Sequence, residues 1–176
     1  MYSYRNALLV LLLLTINVAS AQEPNDIRDL GRLRLQLSLL ANAAHLHPLS
    51  ESGADEIRIW FDNYMAGQTT GYIVRDGHIG RCKARFYYNN GTSQYEVRDM
   101  SCVGGLARRR AADAFDLVDS VRTFNGKSIA CGVLDGWGAL IEGVRSGHMF
   151  IVEADNPDQC NIPGTKELNA FLGVLK

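Results

Sequence analysis

Apolar residues along the chain recur at two different periods, and each change of period marks a change of element. From Asn25, the residues Ile27, Leu30, Leu33, Leu37, Leu40 and Ala44 fall at three- and four-residue steps, with Arg28, Arg32 and Gln36 on the other side. That spacing predicts an amphipathic helix capped by Asn25. His47-Pro48 ends it, because proline disfavours helix in the residue before it. Ser50 to Asp55 reads as a polar linker. At Glu56 the period falls to two. Glu56-Ile57-Arg58-Ile59-Trp60 and Gly71 to Val74 read as strands, and Lys83 to Tyr88 with Ser93 to Val97 read as a hairpin turning at Asn90-Gly91. Tyr87, Tyr88 and Tyr95 are expected to stack across it.

A helical period returns at Arg108, where Ala111, Ala114, Phe115, Val118 and Val121 share a face and Asn125-Gly126 supplies a stop. Two further apolar runs, Gly138 to Val144 and His148 to Ala154, flank Arg145-Ser146-Gly147 and predict a second hairpin with its turn at Arg145-Ser146. Thr165 to Leu175 predicts a short closing helix with Leu168, Phe171, Leu172 and Leu175 on one face. The expected fold class is α+β. It is a mostly antiparallel sheet, a meander of hairpins, packed with an N-terminal helix, a middle helix and a short C-terminal helix.

Met1 to Ala21 holds one charge, Arg5, an apolar run from Ala7 to Leu14, and the small-residue end Ala19-Ser20-Ala21. This is the pattern of a secretory signal peptide cleaved before Gln22. The run is shorter than the roughly 20 residues that span a bilayer, so no stable membrane anchor is expected. The chain then divides into a signal peptide at 1–21, an N-terminal helix and linker at 22–55, and a disulfide-stabilised α+β domain at 56–176. The 18 Lys and Arg nearly balance the 19 Asp and Glu. Such a surface gives no electrostatic reason to expect nucleic acid as a partner. The expected location is periplasmic or extracellular.

All four cysteines, Cys82, Cys102, Cys131 and Cys160, follow the leader, and an even count in an exported chain implies disulfides. Four cysteines allow three connectivities. If Arg145-Ser146 is the tip of the second hairpin, opposite residues sum to 291, as 131 and 160 do. That register favours a Cys131–Cys160 bridge at the hairpin's base and leaves Cys82 with Cys102. The second pair sits about three residues off the register of an Asn90-Gly91 turn, so it needs a bulge or a longer loop. No close Cys-x-x-Cys pair is present, which argues against a zinc or redox role, and no cofactor or metal is expected.

Glu56-Ile57-Arg58-Ile59-Trp60, Gly71-Tyr72-Ile73-Val74-Arg75, Leu134-Asp135-Gly136, Ile141-Glu142-Gly143, Gly147 and Phe150 together resemble a broad group of uncharacterised bacterial exported proteins. Members of that group look similar in an E-I-R-I-W-like strand, a helix and a D-G-x(4)-L/I-E-G hairpin. The likeness runs from Glu56 to the C-terminus and implies architecture, not chemistry. The cysteines and the Leu-rich first helix look like departures from its commonest pattern.

Candidate functional residues are few. Glu142 lies in an apolar strand, where an ionised carboxylate is costly unless paired, and Arg58 or Arg75 from neighbouring strands would supply the partner. Asp135 sits where a turn is expected. Arg108-Arg109-Arg110 opposes the dipole of the helix it opens and offers a contact patch for an acidic partner. Asp135, Trp137, Glu142, Arg145, Arg108 and Arg109 are the candidate binding residues, and no catalytic residue is assigned. The expectation is a small exported, non-enzymatic binding protein, most concretely an inhibitor or immunity protein whose partner is another exported protein, a toxin or cell-wall hydrolase. The alternatives are an envelope-acting hydrolase using Glu142 and Asp135, which requires the two carboxyls to share a cleft, and a structural envelope component. Oligomeric state is left open.

Overall fold

The computed structural model describes residues 24–63, 68–75, 78–89, 91, 94–106, 108–131 and 136–175. The expected leader therefore lies outside the described residues. Among these residues the fold is α+β, with strands β1 (Asn25–Asp26), β2 (Glu56–Asn63), β3 (Gln68–Arg75), β4 (His78–Asn89), β5 (Gln94–Leu106), β6 (Lys127–Ala130), β7 (Trp137–Arg145) and β8 (His148–Asp155). The helices are α1 (Leu30–Ala43), α2 (Arg108–Arg122) and α3 (Thr165–Leu175). The strands form one sheet in the order β1-β6-β8-β7-β2-β3-β4-β5. Pairing is antiparallel throughout except between β6 and β8.

The sheet is covered on both faces. Ile57, Ile59, Val74, Ile141 and Val152 point to one side and pack against Ala114, Val118 and Val121 of α2 and Leu168, Phe171 and Leu172 of α3. Trp60, Ile73, Cys82 and Leu140 point to the other side and pack against Leu33, Leu37 and Leu40 of α1. Gly71 is required opposite Trp60, since a Cβ there would lie 2.2 Å from the indole ring. The N-terminal segment is part of this fold, because β1 pairs with β6 and Ile27 N–H donates to the Gly126 carbonyl.

Three expectations need correction. The first helix is capped by Asp29, whose side chain accepts from Arg32 N–H at 2.8 Å, and not by Asn25. Asn25 pairs with Ser128 instead, so sheet edge captured what looked like helix start. The second hairpin turns at Ser146-Gly147, not Arg145-Ser146, because Arg145 pairs with His148. Both turn residues take positive φ, 51° and 75°, as a two-residue type I′ turn demands. The register that brought 131 opposite 160 is therefore not the one formed.

Cys131 and Cys160 nevertheless bridge, with Cα atoms 5.3 Å apart. Their approach comes from a strand invisible in the pattern: β6 lies parallel to β8 and ends at Ala130 opposite Asp155. Past Asp155 the chain reverses through Asn156, at φ 45°, and a 3-10 turn, Pro157–Gln159. Cys160 is thus returned to the end of β6. The other bridge, Cys82–Cys102, joins directly opposite residues of β4 and β5, with Cα atoms 4.0 Å apart. The expected offset is split in two. The ladder closes at Asn89 with Gln94 around residues 90–93, and a register shift between Lys83 and Arg85, next to Asp99 at φ 52°, supplies the remaining residue.

Candidate functional site

The alternation of β2 sends Ile57 and Ile59 to the α2–α3 side, so Glu56 and Arg58 must face α1. Both are 2% exposed. Charges this deep are tolerated when they are paired and hydrogen-bonded. Arg58 Nε donates to Glu56 Oε1 at 2.6 Å, and Arg75 Nε donates to Glu56 Oε2 at 2.8 Å. A second nitrogen of Arg58 donates to the His47 carbonyl, which clamps the segment after α1 onto the sheet.

Glu142 stands opposite Arg58 on β7. Of the two expected partners the fold selects Arg58, with NH1 3.6 Å from Glu142 Oε1, while Arg75 goes to Glu56. A separation of 3.6 Å is an ion-pair distance and not a hydrogen bond. Sealed from solvent, Glu142 Oε1 has no hydrogen-bond partner among the described residues. Burial pushes the carboxyl above the ordinary glutamate range; Arg58 opposes that rise, and the nearby Glu56 charge adds to it. Glu142 also lines a cleft of about 480 Å³ with Arg34, Asn125, Met149, Phe150 and Ile151.

The other candidate residues are scattered. Arg145 is held by Asp55, donating at 2.6 Å, and its guanidinium lies 5.2 Å from the centre of the Phe115 ring. Asp55 also accepts from Ser146 N–H at 2.7 Å, and that bond, with Arg145, holds its carboxyl below the ordinary aspartate range against the opposing effect of burial. The Trp137 ring packs at 5.8 Å from Phe61, and the Trp137 backbone N–H donates to Asn156 Oδ1 at 3.0 Å, which pins the base of the β7–β8 hairpin. Arg109 is exposed in the first turn of α2. Asp135 and the Arg108 side chain lie outside the described residues, and with Asp135 goes the geometry on which a Glu142–Asp135 pair would rest. His78 and His148 are exposed.

The pattern gave no sign of Asp62 and Asp155. Both are opposite Gly138, one on β2 and one on β8, so their backbones are about 9.5 Å apart, two strand spacings. Burial raises the Asp62 carboxyl above its ordinary range, and the charge of Asp155 adds to the rise. Only the order β8-β7-β2 brings the two together, and sequence periodicity carries no information on that order.

At the β5 edge the sheet continues as a ribbon. Among the described residues β3 stops pairing with β4 at Gln68–Arg85, whereas β4 and β5 remain paired to Asn89–Gln94. Four pairs extend past the third strand, about 13 Å at strand rise. Tyr88 and Tyr95 are opposite each other there, two positions off the register of the expected Asn90-Gly91 turn; their side chains, and with them the expected stacking, lie outside the described residues. The Cys82–Cys102 bridge crosses the same two strands where they join the sheet.

Compared with known proteins, the chain matches no family model and no curated relative. The two disulfides fit a protein of an oxidising compartment. No helix among the described residues is long and apolar enough to cross a membrane.

Proposed function

We propose that the protein is an exported binding protein, periplasmic or extracellular, that acts by contact. In its most concrete form it is an inhibitor or immunity protein that occupies the cleft of a secreted toxin or cell-wall hydrolase. The observation that carries this reading is the β4–β5 ribbon: four strand pairs past the body of the sheet, stapled by Cys82–Cys102 at their root. A tight protein inhibitor needs a preorganised surface more than a large one, because ordering a loop on binding costs affinity. A cross-linked ribbon bearing Tyr87, Tyr88 and Tyr95 has that property, and tyrosine is among the residues that dominate binding energy at interfaces.

The test uses the oxidised chain from residue 22 onward, mixed with the wall-degrading activity that its own host secretes. The expected result is stoichiometric inhibition together with capture of the inhibited enzyme. The double variant Tyr88→Ala, Tyr95→Ala should lose both while keeping the wild-type unfolding midpoint. Inhibition that is absent, or unchanged in the double variant, refutes the ribbon as the contact element.

A further inference from the structure

The cleft beside Glu142 combines features that the charge network alone does not use. It opens where α1 crosses the β7–β8 hairpin, and its volume of about 480 Å³ lies within the range of small-molecule sites. Its apolar wall is formed by Met149 and Ile151, while the Phe150 ring packs into the core on the other face, and Met149 is 57% exposed. Three polar groups of different character meet that wall. Glu142 is an anion whose compensation is incomplete: Arg58 already donates to Glu56 and to the His47 carbonyl, and it reaches Glu142 only at 3.6 Å. Arg34 is an exposed cation on α1. Asn125 accepts from Ile151 N–H through Oδ1 at 3.0 Å, which fixes its amide and leaves the NH₂ as a donor.

A simple anion entering this cleft would meet Glu142, and a simple cation would meet Arg34. A wholly apolar ligand would desolvate both charges with nothing in return. A ligand carrying both signs and an apolar stem satisfies every group on the wall. We propose that the cleft binds a small zwitterion of the amino-acid class. Its ammonium group sits on Glu142, its carboxylate is held by Arg34 and the Asn125 amide, and its side chain lies against Met149 and Ile151. This site does not depend on the β4–β5 ribbon, and either assignment can fail without the other.

Calorimetric titration of the oxidised protein with L-leucine, and with glycine and D-alanine as probes of stem size and chirality, tests the assignment. Isoamylamine lacks the carboxylate of leucine and isocaproate lacks its ammonium group. Leucine should bind, and both analogues should bind at least about tenfold more weakly, the loss expected for one charge-assisted hydrogen bond. Glu142→Gln and Arg34→Ala should each weaken leucine by a similar factor while leaving a cooperative unfolding transition. Arg34 is exposed, so its variant reports on the site even if Glu142→Gln perturbs the network. Absence of binding by all three amino acids at millimolar concentration overturns the assignment. So does equal affinity for leucine and either analogue, or indifference to both substitutions.

Discussion

Glu142 and Arg58 show how one pair of residues changes meaning with its surroundings. On the sequence, Glu142 in an apolar strand predicted an arginine partner, and Arg58 is that partner. The sequence pattern did not disclose that Arg58 serves Glu56 first. Removing Arg58 takes from Glu142 the cation it faces and from Glu56 one of its two arginines, so Arg58→Ala should destabilise the protein by about 3–5 kcal/mol in denaturant titration. The raised carboxyl of Glu142 has a consequence of definite sign. The folded state binds this proton more readily than the unfolded chain does, so its contribution is fully present below about pH 4 and is lost as pH rises through the folded value. Glutamine mimics the protonated form at every pH. The stability of Glu142→Gln relative to wild type should therefore rise between pH 4 and pH 7, and a difference that stays flat across that window would contradict the assignment of burial as the dominant cause. Asp55 works in the opposite direction: its stabilisation is present above the ordinary aspartate value and is lost as pH falls through its lower folded one.

At the scale of elements, the helices were the most legible. The middle and C-terminal helices follow from their three- and four-residue spacing, because a helix that buries one face must repeat apolar residues at that interval. Strand identity was legible too, but register was not. A shift of one position at the Ser146-Gly147 turn preserves the alternation of both runs, so the apolar pattern could not distinguish it. Turn backbone did, through the positive φ of both residues. The β4–β5 ladder was recovered in part, since the cysteine spacing signalled an irregularity without locating it. Removing that cross-link in the double variant Cys82→Ser, Cys102→Ser should lower stability by about 2–4 kcal/mol, mainly by releasing the unfolded chain, as measured by denaturant unfolding under oxidising conditions. The short strands β1 and β6 were missed because two and four residues are too few to display any period.

For the molecule as a whole, the decisive feature is that both faces of the sheet are covered. Sequence division set the first helix and linker apart from the domain that follows, whereas Leu33, Leu37 and Leu40 pack over Trp60 and Ile73 as one buried cluster. If that layer is integral, Leu37→Ala should cost about 2–5 kcal/mol and shift a single transition, with tryptophan fluorescence and circular dichroism coinciding. An early, separate loss of the fluorescence change would mark α1 as a detachable layer. The chain's own pattern determined fold class, the number and type of the helices and the central meander, since each depends on local period; it paired the cysteines correctly, but Cys131 meets Cys160 only because β6 lies beside β8. Tertiary structure alone decided which strands are neighbours, that Asp62 and Asp155 face one glycine, and that Glu56, Arg58 and Glu142 share one buried pocket of charge. Those juxtapositions join residues as far as 93 positions apart, Asp62 and Asp155, and they are set by packing that no local periodicity encodes.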